Sequence, residues 1–288
     1  MDKSIEKIIT PRPKHWVGDG FYVHNFIPGS EGLDMRRMDP FIMLDYNAPH
    51  YFPPARSPRG VDVHPHRGFE TVTIAYKGVI KHTDSSGGGG VIQQGDVQWM
   101  TAASGILHKE FHEENFTLQG GEFQMAQLWV NLPARYKMTS PGYQSIKNDQ
   151  IVHVSIDGGS RVEVIAGEYQ GNKGPAKTFS PVHLSNAHLS PNSTVNYSFP
   201  ANWNTALLVI EGEVTLGEQT ALQNQFVLMA NRGEDFALST PTGAIVLVLS
   251  GEPLNEPIAA HGPFVMNTRQ EILEAIDDYN AGKFGHLD

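Results

Sequence analysis

Two of the 13 histidines in this 288-residue chain stand two apart as His64-Pro65-His66, just before the β-branched run from Phe69 to Tyr76. In an extended chain residues i and i+2 project from one face, so both imidazoles can point into the same interior. Further on, Leu107-His108-Lys109-Glu110 repeats the spacing with an imidazole and a carboxylate. Two such pairs on neighbouring strands converge on one point. Three imidazoles and one carboxylate leave two positions of an octahedron open. That set suits iron, manganese, nickel or copper and admits a substrate together with O2 or water. A lone His-x-His is ordinarily a turn or a solvated feature, and Pro65 suggests a strand edge. The second pair at the same spacing is what argues for a site.

The elements that must hold these residues read as strands. Gly (29) and Pro (19) are scattered rather than concentrated, and they cut the chain into short apolar runs, the pattern of an all-β protein. Thr71–Tyr76, Gln124–Val130, Arg161–Ala166, Ala206–Ile210 and Ala244–Leu249 have the β-branched and aromatic content of strands. One helix is expected near the C-terminus, with Ile272, Leu273, Ile276 and Tyr279 at helical spacing, Thr268 and Glu271 as a capping box and Gly282 as a stop. Residues 132–150 hold Pro133, Pro141, Gly142 and a polar run, which places a boundary between an N-terminal metal-binding barrel, 1–135, and a metal-free barrel with the terminal helix, 136–288. A faint repeat relates the halves, Tyr76-Lys77-Gly78-Val79-Ile80 against Ile210-Glu211-Gly212-Glu213-Val214. The run from Asp84 to Gly90 is read as a hairpin loop, because a strand follows it where a phosphate cradle would need a helix.

Composition excludes several classes. With 21 Lys+Arg against 31 Asp+Glu, a net charge of −10, and no basic stripe, direct nucleic-acid binding is not expected. Zero cysteines exclude disulfides, thiolate metal sites and cysteine nucleophiles. The charged N-terminus, from Met1 to Lys7, and the lack of a long apolar run give no membrane span, and the cytoplasm is the expected compartment.

Glycines before His64-x-His66, after Glu70 and before His108 follow the spacing of the two cupin motifs. Longer strings carry a closer resemblance: Met38–Asp45, His64–Val72, Gly95–Ala102, Gly105–His108, Gln127–Pro133 and, near the C-terminus, Gly251–Leu254 and His261–Thr268. Together they resemble the pirin family across both halves. The resemblance implies a bicupin, two stacked antiparallel β-barrels with a short C-terminal helix. It implies one divalent metal in the N-terminal barrel, Fe(II) before Mn, Ni or Cu, with His64, His66, His108 and Glu110 as ligands. Glu70 is then expected behind the metal site, orienting a ligand imidazole or Arg67. His112 is expected to turn toward solvent as its strand ends.

The resemblance implies two functions. One is quercetin 2,3-dioxygenase-type activity, in which a flavonol and O2 are the substrates, the ring is opened and carbon monoxide is released. Glu110 is the expected general base, since a carboxylate able to leave the metal can accept the flavonol hydroxyl proton. The other is an iron-dependent, redox-sensing regulator acting through transcription factors or metabolic enzymes. With a net charge of −10, such a regulator would act through protein partners rather than by gripping DNA.

Overall fold

The computed structural model describes residues 1–29 and 32–288, and the chain is mostly β. All five expected strands form, lying within Phe69–Lys77, Gly121–Asn131, Ser160–Ala166, Asn204–Leu216 and Ala244–Gly251. The chain divides into two compact units that do not follow a single cut in sequence. One comprises residues 13–36, 41–148 and 254–288; the other comprises 1–12, 37–40 and 149–253.

In the first unit, a seven-stranded antiparallel sheet runs in the order Gly142–Ile146, Val97–Thr101, Phe69–Lys77, Gly121–Asn131, Phe41–Phe52, Phe21–Ile27, His15–Val17. A four-stranded sheet, Gly60–His66, Ile106–His112, Ile80–Asp84, Gly89–Ile92, completes it. Along Ile106–His112 every second residue is buried, so Ile106, His108, Glu110 and His112 share the inner face. The glycine-rich loop joins Ile80–Asp84 to Gly89–Ile92 as a hairpin. Strand Gly142–Ile146 pairs with Val97–Thr101, so the expected linker contributes a strand of its own to this unit.

The second unit holds a ten-stranded sheet that starts from Ile5–Ile9 paired with Phe226–Met229. Part of it repeats the four-stranded arrangement: Ser193–Ser198, Asp235–Thr240, the later half of Asn204–Leu216 and Gln219–Leu222. The short repeat seen in sequence falls at a turn in the first unit, between Phe69–Lys77 and Ile80–Asp84, and just past a bulge within the strand Asn204–Leu216 in the second. Gly78 and Gly212 both have positive φ, at 84° and 73°, and a Cβ at Gly212 would come within 2.2 Å of the Gly243 carbonyl.

The terminal helix forms over Arg269–Asn280 with the expected capping box between Thr268 and Glu271. Its apolar face is narrower than expected. Ile272 and Ala275 pack against Phe264, Met266 and Phe284, whereas Leu273 and Tyr279 are 48% and 41% exposed. The helix belongs to the unit of the N-terminal strands, not to the C-terminal half to which the sequence assigned it. Arg67 explains part of this, for its guanidinium bonds Asp278 at 2.9 Å and sits 4.7 Å from the Phe284 ring.

Candidate metal centre

The strands Gly60–His66 and Ile106–His112 pair with His64 opposite His108. That register brings the rings of His64, His66 and His108 together, with centroid separations of 4.2 to 4.9 Å. One nitrogen from each lies within 4.8 Å of the others, a grouping that could hold a metal ion. A bulge between His108 and Glu110 shifts the register there, and Glu110 lies across from His82 on Ile80–Asp84. Its carboxylate joins His108 and His82 in a second, overlapping group rather than the group of His64 and His66.

The donor set fits a divalent transition metal. His64 Nδ1 lies 2.7 Å from the Asp62 carbonyl and His66 Nδ1 lies 3.4 Å from the Pro263 carbonyl. An N–H donated at Nδ1 leaves Nε2 with a free lone pair, the usual tautomer of a ligating histidine. Buried His108 Nε2 has no hydrogen-bond partner, an unmet polar atom of the kind a metal satisfies. Burial lowers His66 to about 3 and His108 well below its ordinary range, each helped by neighbouring histidines. The His66 and His108 imidazoles are therefore neutral and able to ligate at physiological pH.

Glu110 is buried and held from three sides. Gln98 Nε2 donates to Oε1 at 3.0 Å, Thr73 Oγ1 to Oε1 at 3.3 Å and Gln127 Nε2 to Oε2 at 2.8 Å. Burial alone would raise this carboxyl, but the adjacent His82 and the Gln127 amide outweigh it and hold it at about 2.

The sequence reading missed His82, Asp84, Gln98 and Gln127. His82 is 1% exposed, stacks on Tyr143 at 5.1 Å and places Nε2 3.2 Å from Asp84 Oδ2 and Nδ1 3.1 Å from the Gln98 amide. Asp84 is fixed in turn by Ser86 and Gly88 of the glycine-rich hairpin, whose N–H groups it accepts at 2.8 and 2.9 Å. Burial works to lower His82, and its carboxylate neighbours Asp84 and Glu110 raise it on balance. A signal was present, because His82-Thr83-Asp84 has the same i, i+2 spacing as the pairs that were recognised. Gln98 and Gln127 gave none, being glutamines within ordinary strand sequence.

Two expectations need correcting. Glu70 orients neither a ligand histidine nor Arg67. It accepts a hydrogen bond from Thr101 Oγ1 at 2.7 Å, and burial pushes it up to about 7, while Arg67 is taken by the Ser104 carbonyl and Asp278. His112 does not face solvent. It is 1% exposed, lies 2.8 Å from the Gly20 carbonyl through Nε2 and packs among Phe21, Phe52, Phe116 and Phe123; burial lowers it to about 4.

Beside the histidines opens a cavity of about 200 Å³, lined by His64, His66, Glu110 and Gln127 on one side and by apolar Met43, Met125 and Trp129 among others. Among the described residues, no helix is long and apolar enough to cross a membrane.

The model of the Pirin family matches residues 22–130, and that of the Pirin C-terminal cupin domain matches residues 184–285. A Pseudomonas aeruginosa protein provisionally named quercetin 2,3-dioxygenase is 45% identical over 272 residues, 94% of each chain. Pirin-1 of Arabidopsis thaliana is 37% identical over 98% of this chain and 94% of its own. A crystal structure titled as quercetin 2,3-dioxygenase from Acinetobacter baumannii superposes with a TM-score of 0.94 at 45% identity, covering 100% of both chains. Each unit is accordingly a cupin domain.

Proposed function

The chain belongs to the pirin family, and from that premise we propose that it is a metal-dependent dioxygenase of the quercetin 2,3-dioxygenase type, opening a flavonol with O2 and releasing carbon monoxide. His64, His66, His108 and Glu110 would hold one divalent ion, Fe(II) in the first instance. The observation that carries the reading is the grouping of the His64, His66 and His108 imidazoles, with the buried Glu110 carboxylate in an overlapping group through His108, beside a largely apolar cavity. When bound, the ion supplies Lewis acidity toward a chelating hydroxyl and the redox capacity for dioxygen chemistry.

The protein's own groups do the rest. Met43, Met125 and Trp129 offer apolar surface to an aromatic ring system. Glu110 is the proton acceptor for the flavonol hydroxyl. The adjacent His82 and the Gln127 amide keep it ionised, so it is available as a base. The same neighbours make it a weak one, so transfer depends on the hydroxyl being acidified first. Releasing a donor as the proton arrives would raise its basicity, and Gln127, which also lines the cavity, stands where an incoming substrate reaches it.

Oxygen uptake and carbon monoxide release from quercetin by the Fe(II)-loaded protein test the assignment. Glu110→Gln keeps the shape of the side chain and removes the proton acceptor, so turnover is expected to fall at least ~100-fold while metal content falls much less. Near wild-type oxygen uptake by a metal-replete Glu110→Gln variant would place the base elsewhere. Absence of turnover with Fe, Mn, Ni and Cu alike would leave the regulatory reading in its place.

A further inference from the structure

A cavity of about 990 Å³ lies in the other cupin domain, and the sheet that forms its floor corresponds to the sheet of the candidate metal centre in the first domain. There, His64 faces His108 across the strand pair; here, Tyr197 faces Phe236. Val195 pairs with Leu238 further along the same two strands. Phe199 continues the inner face two residues after Tyr197, as His66 follows His64. Tyr197 and Phe236 stack at 5.5 Å with their planes 13° apart, and Tyr169 lies 5.1 Å from Tyr197. Rings thus replace ligands at corresponding positions.

The exposed charged side chains around this floor carry one sign, beside the neutral Gln170 and Gln219. Asp2, Glu168, Glu218 and Asp235 line the cavity and are exposed, while Lys3 is the one basic residue among the described residues lining it. Lys3 does not offer its charge to the cavity. It is 3% exposed, and its ammonium donates to the Ala201 and Ala230 carbonyls at 3.2 and 3.3 Å. The tyrosine hydroxyls are also engaged. Tyr169 donates to the Asn196 carbonyl at 2.9 Å, and the Tyr197 hydroxyl shares a 3.1 Å hydrogen bond with Ser185. The cavity therefore presents ring surface and carboxylates, and no free cation.

We propose that this cavity is a second ligand site, specific for a small organic cation with an aromatic or alkyl body. Ring faces attract a desolvated cation through their quadrupoles, and the surrounding carboxylates favour it over its neutral analogue and repel anions. This reading is independent of the metal centre and of the reaction proposed there.

Titration calorimetry of the metal-loaded protein with benzyltrimethylammonium, neutral N,N-dimethylbenzamide and anionic benzenesulfonate tests it. One molecule of the cation per chain is expected, with the neutral probe weaker by ~5-fold or more and the anion not binding. Tyr197→Leu should weaken the cation by ~10-fold or more. The paired change Glu168→Gln with Asp235→Asn, on exposed side chains that do not pack the core, should weaken it ~3-fold and flatten its salt dependence. Metal content and thermal unfolding report whether each variant is folded. Should Tyr197→Leu fail to fold, the paired charge variant and the three-probe comparison still decide. Equal affinity for cation and neutral probe, undiminished binding by a folded Tyr197→Leu variant, or no saturable binding of the cation would each overturn the proposal.

Discussion

The same four-strand arrangement occurs in both cupin domains and carries opposite chemistry. In one, the inward positions of the paired strands are His64, His66, His108 and Glu110, backed by His82 and Asp84. In the other, the paired strands and the residue that follows them present Val195, Tyr197, Phe199, Phe236 and Leu238, and Val214 and Leu216 come from the third strand. The strand pairing itself is indifferent to which set is present. A cupin sheet offers a fixed pattern of inward positions, and the side chains placed there decide whether the interior binds a cation through lone pairs or through ring faces.

The largest expected effect comes from removing the first set. His108→Ala takes out the ligand shared by both histidine groupings, so metal per chain, measured by elemental analysis, should fall from about one to near zero. Because the second domain offers no equivalent donors among its described residues, residual metal close to the wild-type value would erase the contrast between the domains.

A second experiment probes acid sensitivity in the domain without the metal site. Burial holds His183 at about 4 against an ordinary value near 6.5. The folded chain thus binds fewer protons there than the unfolded chain between those values. Its stability is complete above pH ~6.5 and falls as the pH drops toward ~4, by up to about 3 kcal/mol. His183→Leu should flatten that part of the stability curve in denaturant titrations run at several pH values. An unchanged slope would show that His183 is not the acid-sensitive group.

Gln98→Leu sharpens the other side of the comparison. It removes one donor from the buried Glu110 carboxylate and one partner of His82 Nδ1, a loss of about 1–3 kcal/mol. Thermal unfolding should register it, with turnover falling further than metal content. The smallest effect is expected from Thr268→Ala, which deletes the cap of the terminal helix at a cost of about 1 kcal/mol. Since that helix packs within the metal-bearing unit, the change should ease metal loss to a chelator while leaving the acid response of His183 unaltered.

Much of this was legible in the sequence, for physical reasons that differ by residue. Alternation along Ile106–His112 put His108 and Glu110 on one face, because a two-residue period survives folding intact. The capping box of Thr268 and Glu271 is a local device and was readable for the same reason. What escaped depended on contacts distant in sequence. Gln127 reaches Glu110 from 17 residues away and Gln98 from 12, and nothing local marks either as special. His112 was misplaced because three of the four rings that bury it, Phe21, Phe52 and Phe123, come from strands remote from it in sequence. The outlying segments escaped too: an antiparallel sheet closes on whichever strand supplies the missing edge, and sequence order does not reveal which that is.

That last point bears on how the polypeptide is made. The strand Ile5–Ile9 is built into the second unit by pairing with Phe226–Met229, and residues 254–288 are built into the first. Lys137 marks the join within the first unit, its buried ammonium bonding the Gly68 carbonyl, Asn131 Oδ1 and the Val265 carbonyl. A ribosome that has synthesised the first 150 or so residues has therefore released every proposed metal ligand, yet not the carbonyl of Pro263 that steadies His66 or the segment that satisfies Lys137. Translation order runs against the usual sequence of domain maturation, in which the leading domain folds first. The domain of the proposed metal ligands is begun before residues 149–253 of the other unit are made and is completed only after them, so a nascent chain carries its histidines in an unfinished barrel throughout that interval.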